Sequence, residues 1–186
     1  MVEIRRLALD GVLEIRPSKF GDARGFFSET YNRQRLVAAG VELDFVQDNH
    51  SFSAAQGTLR GLHYQLPPRA QDKLIRVVKG RIFDVAVDIR KGSPTFACWI
   101  GLEISAQAWN QFLVPVGFAH GFVTLEPDTE VIYKVTDNYS PDHERSIRFD
   151  DPRIGIEWPV EASRILLSAK DEVAPLLANA DVFELN

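Results

Sequence analysis

The chain has 186 residues, 45% hydrophobic and 25% charged, which allows one domain with a substantial core. Its net charge of −5 argues against a nucleic-acid footprint, although 21 Lys and Arg leave room for a local anion site. "MVEIRRLALDGVLEIRP" lacks a signal-peptide pattern and no apolar run nears the roughly 18 residues of a membrane span, so a cytoplasmic protein without membrane contact is expected.

In chain order, "GVLEIRPSKFGDARGFFSETY" (11–31) alternates and turns at Pro17 and Gly21. "NRQRLVAAG" (32–40) predicts a short helix, with Asn32 as its N-cap and Gly40 at its stop. "KLIRVVKGRIFDVAVDIRKGSPTFACWIGLEIS" (73–105) reads as three strands, broken at Lys79-Gly80 and at Lys91-Gly92-Ser93-Pro94. "NQFLVPVGFAHGFVTLE" and "TEVIYKVTDNYS" supply two or three more, around a Pro127-Asp128 turn. "SAKDEVAPLLANA" (168–180) predicts a turn or two of helix opened by Ser168 and interrupted by Pro175. Many short strands and little helix predict an all-β sandwich or barrel over residues 1–186, a single domain. The single cysteine, Cys98, excludes an internal disulfide and reads as a small buried residue of a strand.

The informative positions are polar residues set in apolar strands. In "TLRGLHYQL" (58–66), strict alternation puts Leu59, Gly61, His63 and Gln65 on one face, and Arg60, Leu62 and Tyr64 on the other. A bulge at Gly61 would bring Arg60 and His63 to the same side. Taken alone, His63 reads as a hydrogen-bonded core histidine, Lys73 as a solvated strand end and Tyr133 as a core tyrosine. "PVGFAHGF" (115–122) is sharper: Pro-x-Gly-x-x-His matches half of the cupin signature, and Gly57, His63 and Gln65 trace the other half. A metal-binding cupin has His where Gln65 stands and a Glu soon after, so two histidines remain and no metal is expected.

The blocks "DARGFFSE", "QDNHS", "LRGLHYQ", "VPVGFAHGF", "YKVTDNYSPDHERSIRFDDPRIGIEWP" and "LSAKD" resemble, in order, those of the dTDP-4-dehydrorhamnose 3,5-epimerase family. The resemblance spans about residue 22 to 171. It implies a cupin-like β jelly roll barrel with a few short peripheral helices, a homodimer, and neither cofactor nor metal. The implied reaction inverts C3 and C5 of a dTDP-linked 4-keto-6-deoxyhexose. Both carbons lie α to the ketone, so the site requires a base, an acid on the opposite face and a cation near the oxygen.

By resemblance, His63 is the base, Tyr133 the acid, Lys73 the group at the oxyanion, and Asp171 the carboxylate that orients His63. Asp171 reads otherwise as a helix N-terminal charge. Arg24, Arg60 and Lys170 match diphosphate contacts, His120 a donor to the ligand, and Tyr139 the residue that stacks on thymine. Gln47, Asn49, Glu29 and Glu144 match polar ligand positions. The family implies that "RGFFSE" (24–29) crosses the dimer, so Arg24, Phe27 and Glu29 serve the neighbouring site. Two alternatives stay open: a mono-epimerase acting at C3 or C5 only, and a sugar-binding cupin without turnover.

Overall fold

In the computed structural model, which describes residues 2–185, the alternating stretches form strands and the polar breaks form turns. The strands are β1 (Val2–Arg6), β2 (Leu13–Pro17), β3 (Phe20–Asp22), β4 (Gly25–Phe27), β5 (Gln47–Ser53), β6 (Leu59–Gln65), β7 (Lys73–Lys79) and β8 (Arg81–Asp88). They continue as β9 (Arg90–Lys91), β10 (Trp99–Ser105), β11 (Gln111–Val114), β12 (Phe118–Thr124), β13 (Thr129–Val135), β14 (Glu144–Ser146) and β15 (Phe183–Glu184). One sheet has the order β1-β2-β11-β7-β13-β5 and the other β10-β8-β12-β6-β14, with antiparallel neighbours throughout. From β5 to β13 the chain passes repeatedly between the sheets. The resulting orders, β5-β13-β7-β11 facing β6-β12-β8-β10, are those of a jelly roll.

Period-two alternation sorts the side chains into three apolar layers. Ile75, Val77, Ile82, Ala86, Ile104, Phe112, Phe122 and Val131 come from both sheets and fill the space between them. Leu62, Tyr64, Val85, Val87 and Ala119 point the other way and are covered by the C-terminal segment through Ile147, Ile154 and Leu177. On the opposite outer face, Leu36 of helix α1 (Arg33–Ala38) packs on Leu13, Ile15, Leu74 and Leu113. Full burial of each such large apolar side chain contributes about 1.5–3 kcal/mol.

Helix α1 starts as its sequence predicts, with the Asn32 side chain accepting the Arg35 backbone N–H. The second predicted helix is much shorter. Helix α2 (Ala169–Glu172) is capped by Ser168 and stops ahead of Pro175, which has no N–H to continue the ladder; a 3-10 turn follows at Leu177–Asn179. Cys98 departs from expectation: it is exposed and precedes β10. The cause is a turn through Ala97 (φ +67°), whose N–H bonds Asp88 O while Cys98 O accepts the Asp88 N–H. The same turn is fastened by the buried Asp88 carboxylate, which accepts from Arg90, Ser93 and Thr95. Among the described residues, no helix is long and apolar enough to cross a membrane.

Candidate active site

The segment 58–66 departs from regular pleating where two of its polar residues require it. Along β12 the pairing with β6 steps two residues, from His120 to Phe122, while β6 steps three, from His63 to Arg60. One extra residue in β6 offsets the pleat, so Arg60 and His63 line the same cavity. Gly61 sits in this offset at φ +113°, and a Cβ there would lie 2.6 Å from His120 O and 2.8 Å from Gly121 Cα. Only glycine fits that approach.

The cavity holds about 450 Å³ between the sheets, beside β5 and β6. Its polar lining includes Arg60 and His63 from β6, Lys73 from β7, His120 from β12, Tyr133 from β13 and Asp171 from α2. Leu59, Phe122, Leu166 and Leu167 form its apolar wall. The C-terminal segment reaches the rim by pairing: Leu59 N–H donates to Leu166 O, and Leu166 N–H to Gly57 O. That docking carries Ser168 and α2 to His63, across 108 residues of sequence.

His63 Nε2 lies 2.6 Å from Asp171 Oδ1. Asp171 Oδ2 accepts from the Ser168 hydroxyl at 2.9 Å, so both carboxylate oxygens are held. Burial works against the Asp171 charge, but hydrogen bonds from His63 and Ser168 outweigh it and hold the carboxyl below its ordinary value. The carboxylate accepts the Nε2 proton, which leaves Nδ1 of a neutral His63 as the basic nitrogen. Lys73 is buried, with Nζ donating to His63 O at 3.1 Å. Burial pulls the Lys73 ammonium down to about 8, against the opposing charges of Glu144 and Asp84. Burial also raises the Tyr133 phenol, which stays protonated at neutral pH, with the nearby Arg60 acting the other way.

A second hollow of about 110 Å³ adjoins the first and shares His63, Lys73 and Tyr133 with it. Gln47, Asn49, Tyr139 and Glu144 line its far end. Tyr139 N–H donates to Gln47 Oε1 and its hydroxyl to Glu144 Oε2, while Lys170 pairs with the same Glu144 at 2.5 Å. Arg60 is tied back to β5 through Phe52 O and Ser53 Oγ, an anchored cation at the cavity mouth. Gln65 is a buried tie, accepting from Ser140 N–H and donating to Arg69 O and Asn138 O.

The fold thus gathers His63, Lys73, Tyr133, Asp171, Arg60 and His120 around one cavity, with Gln47, Asn49, Tyr139, Glu144 and Lys170 at its extension. Within the chain it does not bring Arg24, Phe27 or Glu29 there. Arg24 and Phe27 stand exposed on the β3–β4 hairpin, where Arg24 pairs with Asp22. Glu29 pairs with Arg35.

The sequence reading gave no site role to Asp84 or to the apolar wall, and read Ser168 only as a helix cap. Asp84, set in "RIFDVAV", carried the same signal as His63: a polar residue on an apolar strand face. His120 Nε2 lies 2.6 Å from Asp84 Oδ1, and both side chains are buried.

Residues 6–179 match the family model described as dTDP-4-dehydrorhamnose 3,5-epimerase. The chain belongs to the dTDP-4-dehydrorhamnose 3,5-epimerase family. It is 51% identical over 181 residues to the dTDP-4-dehydrorhamnose 3,5-epimerase of Salmonella typhimurium, covering 97% of this chain and 98% of that one. A crystal structure of dTDP-6-deoxy-D-glucose-3,5-epimerase from Legionella pneumophila, in complex with dTDP-4-keto-L-rhamnose, is 43% identical with a TM-score of 0.94, covering all of both chains. A 3'-monoepimerase from Streptomyces bikiniensis, in complex with dTDP-quinovose, is 34% identical with a TM-score of 0.85, covering 92% of this chain and 86% of that one. The family assignment and the jelly roll agree with the expectations from the sequence.

Proposed function

We propose that this chain inverts C3 and C5 of dTDP-4-dehydro-6-deoxy-D-glucose to give dTDP-4-dehydro-L-rhamnose. The observation that carries this reading is the His63–Asp171 contact, opening on a cavity shared with Tyr133 and Lys73 in a member of this family. The C4 ketone acidifies both neighbouring C–H bonds. His63 removes a proton, the Lys73 ammonium stabilises the enolate oxygen, and Tyr133 returns a proton to the opposite face. Asp171 fixes the His63 tautomer and stabilises its cationic form. Once His63 has released its proton to solvent and Tyr133 has regained one, the same groups act at the second carbon. This is acid–base chemistry on the substrate's own carbonyl and calls for no cofactor or metal.

The extension takes the nucleotide. Arg60 and Lys170 face the diphosphate, Tyr139 stacks on thymine, Gln47, Asn49 and Glu144 hold polar edges, and His120 meets the sugar. Arg24, Phe27 and Glu29 complete the site of a second copy in a homodimer. Their exposed hairpin and their distance from the cavity of their own chain support that reading.

The test is solvent deuterium uptake at C3 and C5 of the 4-keto sugar nucleotide, without added metal. Uptake at both carbons with inversion is expected. Uptake at one carbon places the chain with mono-epimerases, and tight binding without uptake makes it a binding module. Activity lost to a chelator and restored by a divalent ion refutes the metal-free mechanism. The similarity to a 3'-monoepimerase makes the single-carbon outcome the one to measure first.

A further inference from the structure

Asp84 lies on the inward face of β8, between Ile82 and Ala86 of the core. Its side chain is fully buried, a placement that strongly disfavours a carboxylate lacking charged or hydrogen-bonded partners. Four residues on, the equally buried Asp88 engages both oxygens with Arg90, Ser93 and Thr95 to fasten a turn. Asp84 is held differently. Oδ1 lies 2.6 Å from His120 Nε2, and Oδ2 has no hydrogen-bond partner among the described residues. Its charge acts instead on Lys73, across the space between the sheets. A carboxylate whose side-chain hydrogen bond goes to an active-site histidine does not fasten a turn as Asp88 does.

We propose that Asp84 is a positioning residue of the reaction, fixing the tautomer of His120 and adding a buried negative charge that, with Glu144, keeps Lys73 an ammonium beside the enolate oxygen. This rests on the epimerase reading. A carboxylate accepts, so the 2.6 Å contact puts a proton on His120 Nε2 and the lone pair of the neutral ring on Nδ1. His120 is the cross-strand partner of His63, so its protonation bears directly on the base.

Several charged or titratable groups surround Lys73. Asp84 comes from β8, Glu144 from β14, His120 from β12 and Tyr133 from β13. His63 and Arg60 come from β6, and Asp171 from α2 through His63. Burial is what draws Lys73 down to about 8, and Glu144 and Asp84 oppose it. Glu144 is partly exposed and spends Oε2 on both Lys170 and Tyr139, whereas Asp84 is fully buried and carries no such outward pair.

Asp84→Asn keeps the volume and an acceptor oxygen for His120 while removing the charge. On dTDP-4-dehydro-6-deoxy-D-glucose, the alkaline limb of the kcat–pH profile should move down by about one unit, the usual effect of a nearby charge. KM and dTDP affinity should stay close to wild type. A profile that keeps the wild-type alkaline limb overturns the assignment, whether or not kcat falls. In the wild-type protein, imidazole ¹⁵N NMR should find the His120 proton on Nε2. A proton on Nδ1 overturns the assignment, and this measurement decides it even if the Asn variant does not fold. Wild-type protein that binds dTDP yet exchanges neither C3 nor C5 hydrogen refutes the epimerase reading and removes the role with it. That outcome is distinct from an active wild type beside an unshifted variant.

Discussion

Replacing Asp171 with Asn tests the part of the site that its geometry defines best. The substitution keeps the shape and leaves an oxygen available to His63, but removes the charge that stabilises an imidazolium. With Nε2 and Oδ1 at 2.6 Å, the two charge centres lie about 4 Å apart, where an effective dielectric of about 20 gives about 4 kcal/mol of attraction. The His63 side chain is 28% exposed, and the proton is only partly transferred at the transition state. About half of that attraction, about 2 kcal/mol, is therefore at stake, which is a fall of roughly 30-fold in kcat. The assay is deuterium wash-in by carbon position, with dTDP binding and thermal melting as controls. A variant that turns over at the wild-type rate refutes the dyad argument. So does one that loses dTDP binding along with activity, since Asp171 would then be holding α2 rather than serving the base.

Tyr133→Phe should slow inversion by about 10²–10⁴-fold while hydrogen exchange with retention continues through His63; product stereochemistry by NMR is the readout, and inversion at the wild-type rate excludes Tyr133 as the acid. Mixing Arg24→Ala chains with His63→Ala chains, each nearly inactive alone, should restore about a quarter of wild-type activity, because half the dimers then hold one intact site; no recovery after subunit exchange means the hairpin does not cross. For Asp88, hydrogen bonds from Arg90, Thr95 and Ser93 overcome the opposing effect of burial and hold the carboxyl down to about 2, against 3.8 when unperturbed. A lowered carboxylate stabilises above its unfolded value and loses that contribution as pH falls from 3.8 towards about 2. Asp88→Ala should therefore cost about 2 kcal/mol or more at pH 7 in a urea melt, with the gap from wild type narrowing in acid.

The sequence by itself determined which faces of the strands are apolar, and with them an all-β sandwich or barrel, which the family resemblance narrowed to a jelly roll. Alternation in "TEVIYKV" put Tyr133 on the inward side, where the structure has it, because a period of two leaves one face per strand for the core, whereas Lys73, which taken alone reads as a solvated strand end, is buried. Asn32 and Ser168 announced their helices because capping is local chemistry. Three things were decided only by tertiary structure. Strict alternation separates Arg60 from His63, and the offset that reunites them depends on how closely β12 approaches Gly61, a contact between strands about 60 residues apart. Asp171 reaches His63 only because the segment at Leu166 pairs with the start of β6. Asp84 carries the same sequence signal as Asp88 four residues later, and one anchors a turn while the other faces the cavity. What separates them is which side chains the opposing strands present, and pairing across sheets is a long-range outcome that no local pattern encodes.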